Sequence, residues 1–127
     1  MLAHYHGQIW NASALGRALG LSDKTVWHYL DLLTETYMVR QIQPWHENIA
    51  KRQVKSPKIY LRDSGIFHSL IVLPDKQTLW SHPKVGASWE GFMLEQTLRI
   101  IGPINAYFWA THSGAEIDLL LMAKGRR

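Results

Sequence analysis

Residues 86–122 read GASWEGFMLEQTLRIIGPINAYFWATHSGAEIDLLLM, and this stretch carries the pattern that decides the fold of the second half of the chain. Apolar residues recur at helical spacing over 86–101, which predicts one long helix that Gly102 and Pro103 end. Residues 107–110 and 117–122 are predicted strands joined by a turn. We expect the helix to be broadly buried, with one side lined by Trp89, Phe92, Met93, Gln96 and Ile100 and flanked by Leu94, Leu98 and Ile101.

The last of these strands combines two acids with apolar residues on both faces. Glu116 and Asp118 are two residues apart, so an extended chain places both side chains on one face. Strands that are apolar on both faces belong inside a covered sheet, which two strands alone do not provide. We therefore expect a homo-oligomer that forms through the exposed edge of strand 117–122 or through helix 86–101.

The composition is that of a folded globular domain. The chain has 127 residues, of which 46% are hydrophobic and 19% are charged. It contains no cysteine, which excludes disulfides and thiolate metal sites. The N-terminus does not resemble a signal peptide, and no apolar run approaches the roughly 20 residues that span a bilayer. We expect a soluble, cytoplasmic protein without a membrane partner.

The first half of the chain has the pattern of a helix-turn-helix unit. Gly20 is expected to end one short helix, because glycine adopts the left-handed conformation at low cost. The side chains of Ser13 and Ser22 are expected to cap the helices that follow them. The predicted helices of this half are residues 2–9, 14–19 and 23–37. A short helix, a turn and a longer helix match helix-turn-helix geometry.

Two predicted strands follow the last of these helices. Residues 38–45 alternate apolar and polar side chains, and Lys58 to Leu61 form a second short strand. The basic loop 46–57 between them would be the wing of a winged helix. A helix over 66–72 is opened by Asp63, Ser64 and Gly65. The predicted organisation is a winged helix-turn-helix module at 1–75, a connector at 76–85 (within the irregular stretch 74–85) and a second domain at 86–127.

Basic residues make nucleic acid a candidate partner. All of the net charge of +4 arises within residues 1–62. The candidate nucleic-acid-binding residues are Lys24, Thr25, His28, Lys51, Arg52, Lys55 and Lys58. A basic strip can meet phosphates, but it can equally be a solvated face. Asp31 and Glu35 would face the same way as Lys24 and repel the phosphate backbone, so a protein-docking or purely structural helix is the alternative.

Several motifs in order give the chain a family resemblance. They are His4-Tyr5-His6-Gly7, Ser22-Asp23-Lys24-Thr25-Val26, Tyr29-Leu30-Asp31-Leu32-Leu33, Tyr60-Leu61-Arg62-Asp63-Ser64-Gly65, Gly86-Ala87-Ser88-Trp89-Glu90-Gly91-Phe92 and Gly114-Ala115-Glu116-Ile117-Asp118-Leu119-Leu120. Together they resemble the C-terminal region of a prokaryotic AAA-type ATPase family. The resemblance implies a mixed α+β (α/β) fold, in which a winged helix-turn-helix precedes a restriction-endonuclease-like αββ core of the PD-(D/E)-x-K type.

The chain departs from that family plan at two points. It has no G-x-x-x-x-G-K-[ST] phosphate loop, so we expect no ATP binding. The chain ends at Arg127, before the strand that would carry the E-x-K half of a nuclease motif. We therefore expect the αββ core to be incomplete and the chain to be a fragment of a longer protein. We expect no enzymatic activity.

The resemblance implies vestigial catalytic candidates in the second domain. Glu90 matches the helix acid of a nuclease, and Asp118 matches the strand acid with Glu116 beside it. Such carboxylates could hold Mg²⁺, which prefers oxygen ligands. The structural alternative is that they cap helices, pair with Arg99 or Lys124, or face solvent.

We expect no cofactor and no metal site, because the seven histidines lack a zinc-binding spacing. The predicted function is that of a non-catalytic fragment of an ATPase-like protein, which acts through protein or weak nucleic-acid contacts. The alternatives are a DNA-binding winged-helix module and a metal-dependent nuclease completed by another chain.

Overall fold

The computed structural model describes residues 1–45 and 54–122. Most of the predicted wing, with Lys51 and Arg52, lies outside the described residues, as does Lys124. In chain order the elements are a 3₁₀ helix (Leu2–Tyr5), β1 (Gln8–Ile9), α1 (Ala12–Leu19), α2 (Asp23–Glu35), β2 (Val39–Pro44), β3 (Lys58–Leu61), α3 (Ser64–Leu70), α4 (Lys76–Ser81), α5 (Val85–Ile101), β4 (Ala106–Ala110) and β5 (Glu116–Leu121).

The five strands form one sheet in the order β1-β3-β2-β4-β5. β1 and β2 each pair antiparallel with β3, and β5 pairs antiparallel with β4. The link between the two halves is a short parallel pairing, in which Gln43 of β2 faces Tyr107 of β4 and Pro44 faces Phe108. The mixed α+β class is therefore confirmed. The predicted division at 76–85 stays a prediction, and one sheet contains strands from both sides of it.

The helix-turn-helix signals in the sequence correspond to observed elements. Ser22 caps α2, because the amide of Thr25 donates to its hydroxyl oxygen at 3.1 Å. Gly20 ends α1 in the left-handed conformation, with φ of 68°. The predicted cap at Ser13 was wrong. Asn11 caps α1 instead, since its side chain accepts from the amide of Ala14 at 2.9 Å, and the helix begins two residues earlier than expected.

Two other predictions of local structure were wrong for identifiable reasons. Residues 2–9 do not form one helix, because Gly7 has φ of 72° and turns the chain into β1. The amide of Gly7 donates to the Ile59 carbonyl of β3 at 2.9 Å. The stretch predicted as an irregular connector contains α4, which Asp75 caps by accepting from the amide of Thr78 at 2.8 Å. A short capped helix has too few residues to show an apolar period clearly.

The long helix α5 is present, but the side expected to be buried faces outward. Its buried residues are Ser88, Gly91, Leu94, Glu95 and Leu98, whereas Trp89, Phe92, Met93 and Ile100 are exposed. Leu94 and Leu98 pack with Tyr60 and Phe108 in the core between the helix and the sheet. A second core lies under the first two helices and contains Trp10, Leu15, Val26, Leu30 and Phe67.

β5 lies at the edge of the sheet formed by residues 1–45 and 54–122. Its residues are half-buried or exposed, which agrees with the expected exposed edge at strand 117–122 for the described part of the chain. Ile117 and Leu121 are among the exposed apolar side chains. Among the described residues, no helix is both long and apolar enough to cross a membrane.

Candidate functional site

Five side chains from three elements meet on one side of the sheet. β3 contributes Lys58 and Tyr60, which share a face because they are two residues apart. α5 contributes Glu90, and β5 contributes Glu116 and Asp118. Two other strands separate β3 from β5 in the sheet order, so these contacts require the sheet to curl until its second and fifth strands approach each other. We call these five residues the carboxylate cluster.

The ammonium group of Lys58 is the centre of the carboxylate cluster. Its Nζ lies 2.6 Å from Oδ1 of Asp118, 3.0 Å from Oε1 of Glu90 and 3.7 Å from Oε2 of Glu116. The hydroxyl of Tyr60 donates to the same Glu90 oxygen. The Lys58 side chain is only 3% exposed, whereas the carboxylates of Asp118 and Glu116 are about half exposed. The cluster is therefore a buried cation with acids between it and solvent.

The protonation of these groups follows from their surroundings. Burial alone would lower the pKa of Lys58, but hydrogen bonds to Asp118 and Glu90 outweigh it and raise the pKa above its ordinary value. Burial, and next the hydrogen bond to Glu90, raise the pKa of Tyr60. Lys58 is thus charged and Tyr60 is neutral at physiological pH. Three ionised carboxylates around one ammonium would leave the cluster with a net negative charge.

A buried histidine fixes the helix that carries Glu90. Nε2 of His6 donates to the Ala87 carbonyl at 3.1 Å, and its Nδ1 accepts from the amide of Leu61 at 3.0 Å. This pairing links α5 to β3 and assigns the neutral tautomer of the imidazole. Burial lowers the pKa of His6 from 6.5 to about 4. Gly91 allows the approach, because a Cβ at that position would lie 2.5 Å from Nε2 of His6.

A second ionic group, centred on Glu95 of α5, also holds this helix to the sheet. Glu95 is buried, and it accepts from the guanidinium groups of Arg40 on β2 and of Arg62, which directly follows β3. Burial alone would raise the pKa of Glu95, but Arg40 and then Arg62 outweigh it and hold the pKa below its ordinary value. The contacts of His6 and Glu95 together set where Glu90 stands relative to Lys58.

The structure brings the predicted acids together around a partner that the sequence did not identify. The expectation that Glu116 and Asp118 share a face is confirmed, since both approach Lys58. Lys58 was expected on an exposed basic strip, and this placement was wrong, because both faces of β3 are buried. The sequence signal for a covered strand was the composition around Lys58, where Ile59 and Leu61 are apolar and Tyr60 is aromatic.

The other candidate nucleic-acid-binding residues are distributed over the surface. Lys24 and His28 are exposed near the N-terminal end of α2, as expected. Thr25 is half-buried, and its hydroxyl is 2.8 Å from that of Ser22. Lys55 is exposed. Because Lys58 is enclosed by acids, it is not part of any exposed basic surface formed by these residues.

The carboxylate cluster does not have the arrangement of a metal centre. Among residues 1–45 and 54–122, no group of three or more histidine, aspartate and glutamate side chains is placed to hold a metal ion. Lys58 supplies the positive charge that a divalent cation would otherwise bring to these acids. The residues present therefore do not fit a magnesium site in this conformation.

Comparison with known proteins gives the chain a family and relatives. A family model described as "Domain of unknown function (DUF8612)" matches residues 1–77. The uncharacterized protein Rv2008c of Mycobacterium tuberculosis is 48% identical over 126 residues, which cover 99% of this chain and 29% of the relative. The uncharacterized protein Mb2031c of Mycobacterium bovis matches with the same identity and coverage. This chain thus spans less than a third of these curated relatives. No solved structure matches it significantly.

Proposed function

The chain belongs to the family described as domain of unknown function (DUF8612). From the motif resemblance, and not from that family, we propose that it is a non-catalytic part of an ATPase-like protein. It would act through contacts with protein and, more weakly, with nucleic acid. The carrying observation is the position of Lys58 among Glu90, Glu116 and Asp118. A lysine held there by three acids stabilises the packing of β3 against α5 and β5.

The order of the elements supports the finer fold assignment within this proposal. Helices α1 and α2 are followed by β2 and β3, which pair antiparallel, and β1 pairs with the outer side of β3. This order and pairing of elements are the ones expected for a winged helix. The second half continues as α5, β4 and β5, which is the αββ order of a nuclease-like core.

The absence of catalysis is tested by incubating supercoiled plasmid with the purified chain and Mg²⁺ or Mn²⁺. We expect no nicking and no change in the urea midpoint on adding millimolar Mg²⁺, because the ammonium of Lys58 already occupies the position between the acids. Nicking that Asp118→Asn abolishes and Asp75→Asn retains would overturn the proposal. Asp75 is a suitable control, since it is an exposed helix cap away from the carboxylate cluster. Such a result would make Lys58 the lysine of a metal-dependent nuclease.

A DNA-binding winged-helix module is the second candidate, favoured by the exposure of Lys24 and His28 at the start of α2. Recognition helices contact base edges with their N-terminal residues. On the same helix, Asp31 is exposed and accepts from the side-chain amide of Gln41 at 3.1 Å, which places a carboxylate beside any bound phosphate backbone.

A mobility-shift titration at two salt concentrations separates the two candidates. A DNA-binding module would lose affinity steeply as salt rises, and Lys24→Ala would weaken binding at both concentrations. Lys76→Ala is the matched control, since Lys76 is an exposed lysine on another helix, α4. Tight binding that depends on Lys24 would replace the first proposal with the second. Weak binding that both variants share would support the first.

A further inference from the structure

The outward side of α5 is an uncharged apolar surface. Trp89, Met93, Gln96 and Ile100 follow one another at steps of four, three and four residues, and Phe92 lies beside them. Trp89 is 64% exposed and Ile100 is 85% exposed. Solvated helix faces normally carry charged side chains, and an apolar stripe at this spacing is typical of a seam between helices. We call these five residues the α5 outer face.

An apolar cavity continues this surface toward the N-terminal end of the helix. Its volume is about 570 Å³, and α4 closes one side of it with Leu79 and Trp80. Trp89 and Phe92 of the α5 outer face form part of its wall. The ring of Trp80 is 67% exposed. The surface therefore has a protruding end at Ile100 and a hollow end at the two tryptophans.

From this shape we propose that the α5 outer face binds the same face of a second copy of the chain, with the two helices antiparallel. A two-fold axis midway between Met93 and Gln96 would bring the Ile100 end of one copy to the hollow end of its partner. Ile100 of one copy would then meet Trp89 of the other, and Met93 would meet Gln96, so that the protruding end of each surface packs at the hollow end of the other. A parallel pair would instead set Trp89 against Trp89 and leave the cavities empty.

Polar groups along the seam are compatible with an antiparallel pair. Gln96 would lie near the axis, where two amides can each donate and accept across the interface. Arg99 is exposed and lies two helical turns beyond Phe92 on the same flank of α5. In the antiparallel pair its guanidinium would approach Phe92 of the second copy, which is a favourable cation–π geometry. The two helix dipoles would be antiparallel, which is electrostatically favourable.

The surface is large enough for a dimer. A fully buried aromatic side chain contributes about 150–250 Å², so Trp80 and Trp89, each about two-thirds exposed, offer roughly 300 Å². Phe92, Met93 and Ile100 raise the apolar area to on the order of 600–700 Å² for each copy. A stable interface needs about 800 Å² for each partner, and the polar flanks of the helix supply the remainder. The dimer would form whether or not the carboxylate cluster has any chemistry.

Light scattering after size exclusion tests the dimer with the full chain. We expect a mass of twice 14.7 kDa at micromolar concentration. Ile100→Asp should give the monomer mass with an unchanged circular dichroism spectrum, because this side chain contributes little to the core. Val72→Asp is the matched control, since Val72 is a β-branched side chain that is 80% exposed in the turn after α3, and it should remain dimeric. A monomeric native chain, or a dimer that Ile100→Asp leaves intact, would overturn the proposal.

Single cysteines test the orientation, because the native chain has none. In the antiparallel register two Gln96 positions are offset by only about 4 Å along the helices, whereas two Ile100 positions are offset by about 16 Å. A thiol cross-linker too short to span 16 Å should therefore join Gln96→Cys copies efficiently and Ile100→Cys copies poorly. Equal cross-linking of both variants would indicate parallel helices and refute the antiparallel register.

Discussion

Replacing Lys58 by methionine is the most direct test of how the carboxylate cluster holds this fold together. Methionine keeps a long unbranched apolar side chain in the buried space but removes the ammonium. Glu90, Glu116 and Asp118 then face one another without a compensating charge, and the Tyr60 hydroxyl remains the hydrogen-bond donor to Glu90. The variant therefore combines loss of three ion pairs with repulsion among the remaining acids.

The magnitude follows from burial. Removing one partner of a fully buried ion pair costs about 3–5 kcal/mol, and exposed pairs contribute about 0–1 kcal/mol. The ammonium of Lys58 is buried but two of its three acids are half exposed, so we expect a loss of about 2–3 kcal/mol at pH 7. With a urea dependence of about 1–3 kcal/mol per molar, the unfolding midpoint should fall by roughly 0.7–3 M.

Urea denaturation at pH 7 followed by tryptophan fluorescence measures this loss, and a double substitution identifies the cause. Lys58→Met combined with Glu90→Gln should recover part of the loss at pH 7. Lys24→Met, at an exposed lysine, should stay within about 0.5 kcal/mol of the native chain. A gap below about 0.5 kcal/mol at pH 7, or one that the added Glu90→Gln does not narrow, would refute the reasoning.

Three further predictions concern the contacts that position the cluster. Between pH 6.5 and about 4, His6 binds a proton in the unfolded chain but not in the folded chain. As the pH falls through that window, the free energy of unfolding should therefore decrease by up to about 3 kcal/mol. Urea titrations of His6→Ala should lack this slope, and an identical slope would exclude the assignment. Gly91→Ala should destabilise by about 1–3 kcal/mol, because the added Cβ meets Nε2 of His6, whereas Gly86→Ala, where the space is open, should be neutral or stabilising. Equal melting temperatures would disprove this packing. Glu95→Gln should cost about 2–4 kcal/mol in chemical denaturation, since it leaves the half-buried guanidinium of Arg40 without its carboxylate, and a loss under about 1 kcal/mol would show that the pair is compensated by water.

Local signals in the sequence predicted the elements whose ends depend on neighbouring residues. Ser22 and Gly20 define the turn between α1 and α2 because a hydroxyl cap and a left-handed glycine act within one helical turn. The bounds of β3 agree with the prediction, because Pro57 and the Asp63 cap limit the strand on both sides. The same kind of signal failed at residues 2–9, where β1 forms only through its pairing with β3.

The candidate site was predictable only in part. The acids of β5 share a face by strand geometry alone, and Glu90 was placed on the helix by its period. Their common partner was not predictable, because Lys58 lies 32 residues from Glu90 and 60 residues from Asp118 along the chain. Nothing local to residue 58 indicates that the sheet curls and brings the ends of three elements together.

The sequence by itself determined the long helix α5, the turn between α1 and α2 with its Ser22 cap and Gly20 end, the strand β3 and the pairing of acids on β5, since each of these depends on residues within a few positions of one another. The tertiary structure decided which side of α5 is buried and where Lys58 points. Both sides of α5 are apolar, so periodicity does not choose between them. The choice is made by the buried contacts of His6 and Glu95 with that helix, which turn Leu94 toward the sheet and leave Trp89 outside. The same contacts set Glu90 beside Lys58, and so they convert a basic residue of the sequence into the buried centre of an acidic site.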